Sequence, residues 1–292
     1  MSVKHVSKAI MFADDTSVKV TDKDHDSFKQ KTNLTLTSLN QWFYINQLVL
    51  NITKTNVINF TPSNTAHVPL DIYYKDNVIN EVKCSTFLGM HIDNHMNWKN
   101  HVEQILPKLG AACFSIRNLI HTLHPDVLHM VHLAYFYSVL QYGIIFWGNS
   151  TLVHQVFKLQ KRVVWVMSGA GQRSSCRNLF RKLNILAIAC QYKLSFMLFT
   201  VDNQKGFLTN AYVHGLDTRN KNHLYLPVAS LSCVQQGFSY SGVKIFNSLP
   251  SNIQSYRNDR KRFKNKLYTY LIIHSSYSTT EFLDCKIDKD NI

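Results

Sequence analysis

Residues 9–20 run Ala9-Ile10-Met11-Phe12-Ala13-Asp14-Asp15-Thr16-Ser17-Val18-Lys19-Val20 and place apolar runs on either side of an acidic pair. The alternation at Val18 and Val20 is typical of a half-buried strand, so this segment predicts two strands joined by a tight turn. Adjacent carboxylates at such a turn repel each other unless a cation or a basic side chain lies between them. Asp14 and Asp15 are therefore candidate ligands for a divalent metal such as Mg²⁺, whereas a bare Asp-Asp pair alone would favour a solvated hairpin tip.

The charge balance of the chain points to an anionic partner. Its 292 residues carry a formal net charge of +14, which favours polyanions or an anionic membrane surface. No Asp or Glu occurs between Asp126 and Asp202, although a solvated face normally carries both signs. We interpret this acid-free segment, which also contains Lys193, as a basic patch for phosphates. Its candidate contacts are Lys158, Lys161, Arg162, Arg173, Arg177, Arg181 and Lys182.

A second basic run lies at residues 257–266 and includes Arg260, Lys261 and Arg262. It could contact RNA or DNA phosphates, act as a nuclear localisation patch, or form a solvated helix face. We place nucleic-acid contact first, and we expect the protein in the nucleus or in a cytoplasmic ribonucleoprotein.

The cysteines and the hydropathy pattern set further expectations. The six cysteines are scattered without a Cys-x-x-Cys pair, and the first residues alternate polar and apolar. We therefore expect a reduced, intracellular chain that is not secreted. No apolar run reaches the roughly 18 residues that a membrane-spanning helix needs, so no membrane partner is expected.

Periodicity predicts strands and one helix in the first third and mostly helices afterwards. A helix is predicted over 27–47, a strand over 49–60, a hairpin over 69–82 and a strand with an internal glycine over 85–93. Helices are then predicted over 97–106, 109–121, 126–142, 151–167, 176–183 and 187–201. Residues 202–222 are polar and suggest a linker, residues 224–283 suggest short strands and a basic helix near 257–271, and the tail after Asp284 is expected to be disordered.

Several histidines lie close together in the sequence, among them His129 and His132. Spacing of three residues on a helix could hold a metal. No cysteine or carboxylate cluster accompanies them, so surface or partly buried histidines are the preferred interpretation.

Further motifs follow the acidic turn in a fixed order. The first set comprises Trp42, Asn46, Leu48, Asn51, Lys54, Thr55 and Phe60. The second comprises Phe87, Leu88, Gly89, Ile92, Asp93, Trp98 and His101. With the Phe-Ala-Asp-Asp-Thr turn, they resemble the C-terminal half of the reverse-transcriptase palm of non-LTR (LINE-type) retrotransposons, most like the jockey-type elements. Later matches, to the thumb, post-palm and closing regions, are Tyr142-Gly143, Trp147-Gly148, Gln160, Arg162, Gly242, Phe246-Asn247, Leu249-Pro250, Phe263-Lys264 and Glu281-Phe282.

This resemblance covers nearly the whole chain and implies an α+β fold. It comprises a partial polymerase palm (an antiparallel sheet plus a helix) over residues 1–95, a mainly helical thumb-like region over 96–201, a linker over 202–223, and a small mixed C-terminal region over 224–292. The implied partners are an RNA template and a DNA primer, and the implied activity is RNA-directed DNA polymerisation with two metal ions.

The resemblance also assigns roles to individual residues. It implies that Asp14 ligates Mg²⁺ and that Asp15 supports or shares the metal. Lys54 falls where the family places a lysine near the leaving pyrophosphate, a role suited to a compact ammonium charge. Phe87, Leu88 and Gly89 would form the primer grip, a hairpin that packs against the primer backbone.

One departure from the family pattern decides what we expect of the chain alone. A palm polymerase also needs a third carboxylate and the fingers, which in the family precede the Asp-Asp turn, and few residues precede Asp14 here. We therefore expect weak or absent Mg²⁺ binding and no polymerisation by the isolated chain, with a deoxynucleoside triphosphate as substrate only if the missing parts are supplied. The alternatives are a non-catalytic basic nucleic-acid-binding protein, or a non-functional remnant whose exposed palm edge promotes aggregation.

Overall fold

The computed structural model describes residues 7–62, 68–70, 72–74, 77–171, 174–230, 234–235 and 237–284. The chain forms two compact units, residues 1–96 and residues 97–292. Within the described residues all named strands lie in the first unit, and the second unit is helical. The predicted mixed α+β class is confirmed. In the described part of the chain no helix is long and apolar enough to cross a bilayer. The expected disordered tail after Asp284 lies outside the described residues.

The acidic sequence forms the hairpin that its pattern predicts. Strands β1 (Ser7–Phe12) and β2 (Asp15–Val20) are antiparallel, and Phe12 faces Asp15 at the closed end. The two-residue turn between them is Ala13-Asp14, and Ala13 adopts a φ of 53°. A positive φ is uncommon for a residue with a Cβ, so the turn holds a strained backbone conformation at the acidic pair.

Helix α1 (His25–Ile45) follows, and the acids after the hairpin anchor its start. The Asp24 carboxylate caps the helix by accepting from the Ser27 amide at 2.9 Å. Asp22 accepts from the Ser27 hydroxyl at 2.7 Å and also contacts the Lys31 ammonium. The hydrogen bonds from Lys31 and then from Ser27 hold the pKa of Asp22 far below its usual value. These two carboxylates therefore serve the helix terminus.

The strand predicted over 49–60 is wrong for most of its length. Residues Ile52–Lys54 form a 3₁₀ turn, and only β3 (Asn56–Val57) is extended with a partner. The cause is local, because the Thr55 hydroxyl donates to the Asn51 carbonyl at 2.8 Å and the Thr53 hydroxyl donates to the Asn51 side chain at 2.7 Å. Short polar side chains that bond to nearby groups compete with a strand ladder in this way.

The other strands are short and form separate pairs. Strands β4 (Tyr73–Tyr74) and β5 (Asn77–Val78) make the hairpin predicted within 69–82, whose tip at 75–76 lies outside the described residues. Strand β3 pairs in parallel with β6 (Asn80–Glu81). The predicted sheet is therefore resolved into two-stranded pairs in the described residues, three antiparallel and one parallel.

The strand predicted over 85–93 is instead a hairpin of β7 (Cys84–Phe87) and β8 (Met90–Asp93). The glycine lies at its tip, where Leu88 and Gly89 have φ values of 47° and 78°. Two successive positive φ values match the right-handed twist of the flanking strands. The chain therefore reverses at the position where the sequence pattern suggested a bulge.

The second unit is built from helices. They are α2 (Lys99–Leu119), α3 (Pro125–Val131), α4 (Ser138–Gln141), α5 (Ile144–Trp147), α6 (Val153–Ser168), α7 (Cys176–Lys182), α8 (Ile188–Asp202), α9 (Asn210–His214), α10 (Phe238–Ser248), α11 (Ser251–Gln254), α12 (Arg260–His274) and α13 (Thr279–Asp284). A π-helical segment, His132–Tyr137, joins α3 to α4. Short 3₁₀ turns occur at Gln204–Gly206 and Ser255–Asn258.

Two sequence expectations for this unit are wrong. The helices predicted over 97–106 and 109–121 are one helix, α2, which continues through Pro107 because Ile105 and Leu109 on either side are both buried. The short strands expected in 224–283 are absent from the described residues, where Phe246 and Phe263 pack into the core from helices. Burial of these apolar faces outweighs the weak strand propensity of the segment.

Helix α8 is the centre of the second unit. It is apolar around most of its circumference, and its neighbours approach it closely through glycines. A Cβ at Gly148 would lie 2.7 Å from the Tyr192 ring, and one at Gly242 would lie 3.0 Å from the Phe196 ring. These glycines allow the segments that carry them to pack directly on α8.

A lysine is completely buried in this helix. The Lys193 ammonium donates to the Ser276 hydroxyl at 2.6 Å and to the Ser278 carbonyl at 2.9 Å. It also lies 4.6 Å from the centre of the Phe282 ring, a cation–π geometry. Lys193 thereby ties the turn between α12 and α13 to the centre of the unit.

His132, in the π-helical segment, is buried without hydrogen bonds to the described residues. Its ring is 1% exposed and stacks on Phe136 with centroids 5.7 Å apart. Burial, and then the nearby His129, lower the pKa of His132 to about 4. The folded unit therefore keeps this imidazole neutral.

Lys193→Ala should destabilise the second unit by about 3 kcal/mol, because it removes the partner of buried oxygens and opens a cavity. Lys244→Ala on the neighbouring helix α10 is the matched control, since Lys244 is exposed and should change stability by about 0.5 kcal/mol or less. Chemical denaturation measures both values. Equal stabilities of the two variants would contradict the role of Lys193.

The free energy of unfolding should fall as the pH is lowered from about 6.5 to about 4. In this range the unfolded imidazole of His132 binds a proton that the folded form excludes, at up to about 1.4 kcal/mol per pH unit. Denaturation across this range should show a smaller pH dependence for His132→Phe than for the wild type. The exposed His121→Phe variant should keep the wild-type profile, and an unchanged profile in His132→Phe would exclude this origin.

Candidate functional site

The acidic turn presents two carboxylates to solvent. Asp14 lies in the turn of the first hairpin and Asp15 begins β2, and both are exposed. No ion pair or hydrogen bond joins either side chain to another described residue. Ile10, Met11 and Phe12 beside them are also exposed, at 47, 54 and 62% of their surface. The turn is therefore accessible and borders an apolar surface.

Magnesium fits this turn only in part. Two adjacent carboxylates supply the oxygen ligands that Mg²⁺ prefers. In the described ranges, however, no group of three or more His, Cys, Asp or Glu side chains is arranged to hold a metal ion. The turn by itself offers an incomplete ligand set, so the described residues do not build a two-metal catalytic centre.

The other palm residues identified from the sequence lie in the same unit. Lys54 ends the 3₁₀ turn and is exposed, without a described hydrogen bond or ion pair to the acidic turn. Phe87, Leu88 and Gly89 form the tip region of the second hairpin, with Phe87 and Leu88 half-buried and Gly89 exposed. A hairpin is the shape that the resemblance implies for a primer grip, whereas contact with a primer stays a prediction.

Three of the cations assigned to nucleic acid are engaged within the protein. Arg177 pairs with Glu281 at 2.6 Å and lies 4.7 Å from the centre of the Tyr277 ring. Arg260 pairs with Asp202 at 2.7 Å, and Arg262 lies 3.3 Å from Asp259. Arg260 and Arg177 therefore hold segments of the second unit together, which the sequence pattern did not indicate.

The Arg177 pair belongs to the same network as Lys193. Burial alone would raise the pKa of Glu281, but the hydrogen bonds from the Tyr277 amide and from Arg177, with the charge of Lys193, lower it below its usual value. The Tyr277 amide donates to Glu281 at 2.6 Å. The carboxylate is thus fixed in its charged form between two cations.

Other predicted cations remain on the surface. Lys161 is half-buried and lies 5.1 Å from the Phe157 ring centre, while Arg173 lies outside the described residues. The exposed cations for which the described residues show no ion pair are Lys158, Arg162, Arg181, Lys182 and Lys261. These side chains are available to an external anion.

Arg117 is a basic residue that the sequence interpretation missed. Burial raises the pKa of the Cys113 thiol, while the charges of Arg162 and then Arg117 oppose that rise, which places both guanidinium groups near Cys113. Arg117 lies on α2, before the acid-free segment, so only the packing of α2 against α6 brings it to Arg162. A run of sequence without acids therefore underestimates this basic surface.

On the other side of α6, the exposed Arg181 lies near His274 of α12. Burial, and then the Arg181 charge, lower the pKa of His274. Arg181 and Lys182 are both exposed in the last turn of α7. The surface cations thus form at least two groups rather than one continuous patch defined by the sequence.

Comparisons with known proteins do not change this description. No family model matches the sequence, and neither the curated proteins nor the solved structures contain a match.

The structure separates binding cations from structural ones. Arg162→Gln should weaken binding of a nucleic acid and reduce the slope of log affinity against log salt by about 1, with stability unchanged within about 0.5 kcal/mol. Arg177→Gln should leave that slope unchanged and lower the free energy of unfolding by about 1 kcal/mol, since its ion pair is partly solvated. Fluorescence anisotropy and denaturation measure the two effects, and the reverse pattern would overturn the assignment.

Proposed function

We propose that this chain is part of an RNA-directed DNA polymerase of the non-LTR retrotransposon type, and that it binds nucleic acid without polymerising by itself. The observation that carries the proposal is the antiparallel hairpin with Asp14 and Asp15 exposed at its turn. Two unpaired carboxylates on a strained turn are unfavourable unless a cation joins them. Such a turn is suited to a metal held beside a phosphate.

In this proposal the first unit is the C-terminal half of a polymerase palm. Asp14 and Asp15 hold Mg²⁺ weakly, and Lys54 neutralises phosphate charge. When bound, Mg²⁺ supplies charge neutralisation at the reacting phosphates. Because the described residues provide an incomplete ligand set, the proposal assigns metal and phosphate contact to this turn and no complete catalytic cycle.

The second unit has the role of a helical thumb in the same proposal. Support comes from its exposed cations on α2, α6 and α7, which suit the phosphates of an RNA template and a DNA primer. The hairpin tip at Leu88-Gly89 is assigned to the primer backbone. Its positive φ values hold two backbone amides in a tight reversal at this tip.

The second candidate function is nucleic-acid binding without any catalytic descent. It is favoured by Arg117 and Arg162, which lie near a single thiol on neighbouring helices and give a local cation pair independent of the acidic turn. The two functions differ in whether Asp14 and Asp15 influence binding of the nucleic acid.

The test compares wild type with Asp14→Asn/Asp15→Asn in binding to an RNA–DNA primer–template. Without Mg²⁺ the variant should bind about tenfold more tightly, because the two carboxylates repel phosphates. Added Mg²⁺ should remove this difference by joining the carboxylates to phosphate. Asp26→Asn is the control, an exposed carboxylate of the same unit that should leave the ratio near one.

Each outcome separates the candidates. A ratio that is the same with and without Mg²⁺, with binding retained, would overturn the polymerase proposal and leave nucleic-acid binding. Incorporation of deoxynucleotides by the wild type above the level of the double variant would contradict the expected inactivity. Loss of all binding at low salt would exclude both functions.

A further inference from the structure

A cleft of ≈ 610 Å³ opens along helix α12, bounded on the other side by residues 252–256. Its lining includes Tyr256 and, on α12, Arg262, Asn265, Lys266 and Thr269. The volume lies within the range of pockets that hold small ligands. It is too small to enclose a nucleic-acid duplex but suits one or two nucleotides.

The helix divides its residues between core and cleft. Phe263 and Leu267 are fully buried on the inner face, which fixes the orientation of α12. The spacing of three or four residues from Arg262 to Lys266 and Thr269 places these side chains on a different face. Core packing therefore holds the cleft residues in position without using their polar groups.

The cleft is basic, and its charge is available. Lys266 is exposed and makes no ion pair with a described residue. Arg262 lies nearest to Asp259 through Nε, at 3.3 Å, and its side chain is 73% exposed. A guanidinium group has five N–H donors, so one carboxylate leaves donors for another anion. Asp259 reduces the net charge at this end, which makes Lys266 the leading cation.

The lining also offers groups that suit a base and a sugar. Tyr256 is half-buried, so its ring is held while part of its surface remains open. The Thr269 hydroxyl donates to the Asn265 carbonyl at 3.0 Å, and the Asn265 side chain is exposed. Aromatic rings beside cations are the recurring means of binding single-stranded nucleic acid.

We propose that this cleft binds single-stranded nucleic acid, with Lys266 and Arg262 on phosphates and a base against Tyr256. The inference rests on the proposed function for the class of partner, but it assigns a separate site. It also moves the contact along the helix, because Arg260 is held by Asp202 and Lys261 does not line the cleft. A single strand fits both the width of the cleft and its mixture of cations, amides and a ring.

The experiment uses the full chain and short oligonucleotides in EDTA, followed by fluorescence anisotropy. The probes are single-stranded oligo(dT), single-stranded oligo(rU) and a DNA duplex of the same length. Lys266→Gln should weaken single-strand binding about tenfold and reduce its salt slope by about 1. Tyr256→Leu should weaken it about tenfold with the salt slope unchanged. The matched control is Lys264→Gln, the same charge change on an exposed residue of α12 outside the cleft.

The outcomes distinguish this site from the proposed function. Equal effects of Lys266→Gln and Lys264→Gln, or an equal loss of duplex binding in Lys266→Gln, would overturn the cleft, whatever the acidic turn does. A selective loss in Lys266→Gln and Tyr256→Leu supports it even if Asp14 and Asp15 prove irrelevant to binding. A stronger loss with oligo(rU) than with oligo(dT) would identify RNA as the preferred strand, and the reverse would identify DNA. Unchanged thermal unfolding of all variants ensures that binding is compared between folded proteins.

Discussion

Helix α8 has almost no solvent-exposed face, so the charge of Lys193 within it has to be satisfied inside the second unit. The turn between α12 and α13 provides the partners, through Ser276 and Ser278. A buried ammonium group without partners would be strongly destabilising, so this turn cannot leave α8 without exposing or stranding the charge. The position of α12, and with it the basic cleft, depends on that constraint.

The same constraint explains where the charges of the second unit lie. Its few acids are used within the fold, Glu281 beside Arg177 and Lys193, Asp202 on Arg260 and Asp259 on Arg262. Cations that outnumber these acids are left on the surface without internal partners. A basic exterior therefore follows from how the acids are used inside, and the surface attracts polyanions as a consequence. The hairpin unit shows the opposite arrangement, with two exposed acids at a turn.

Some features could be predicted from the sequence because they depend on local patterns. The acidic hairpin follows from alternation around Asp14, and α6 and α8 follow from apolar periodicity within two residues of their observed ends. Other features depend on contacts that no local pattern contains. Asn51 bonds to Thr53 and Thr55 and replaces most of a predicted strand, and Leu88-Gly89 reverses the chain inside another.

The candidate sites show the same division. The sequence identifies basic residues but not their partners, so Arg177 was assigned to nucleic acid although Glu281, 104 positions away, holds it. Arg117 and Lys266 were missed because only helix packing brings the first to Arg162 and only the cleft distinguishes the second from its neighbours. The carboxylates of the acidic turn were found because they are adjacent in the chain.

The most direct measurement of the central claim is a titration of the isotope-labelled chain with Mn²⁺, followed by the backbone amide signals in NMR spectra. Mn²⁺ binds oxygen ligands like Mg²⁺ and broadens the signals of nearby nuclei. The account predicts that the amides of residues 12–16 broaden at the lowest Mn²⁺ concentration and recover when Mg²⁺ is added in excess. Broadening that begins at another exposed carboxylate, such as Asp217, or that shows no preference for the acidic turn, would contradict it.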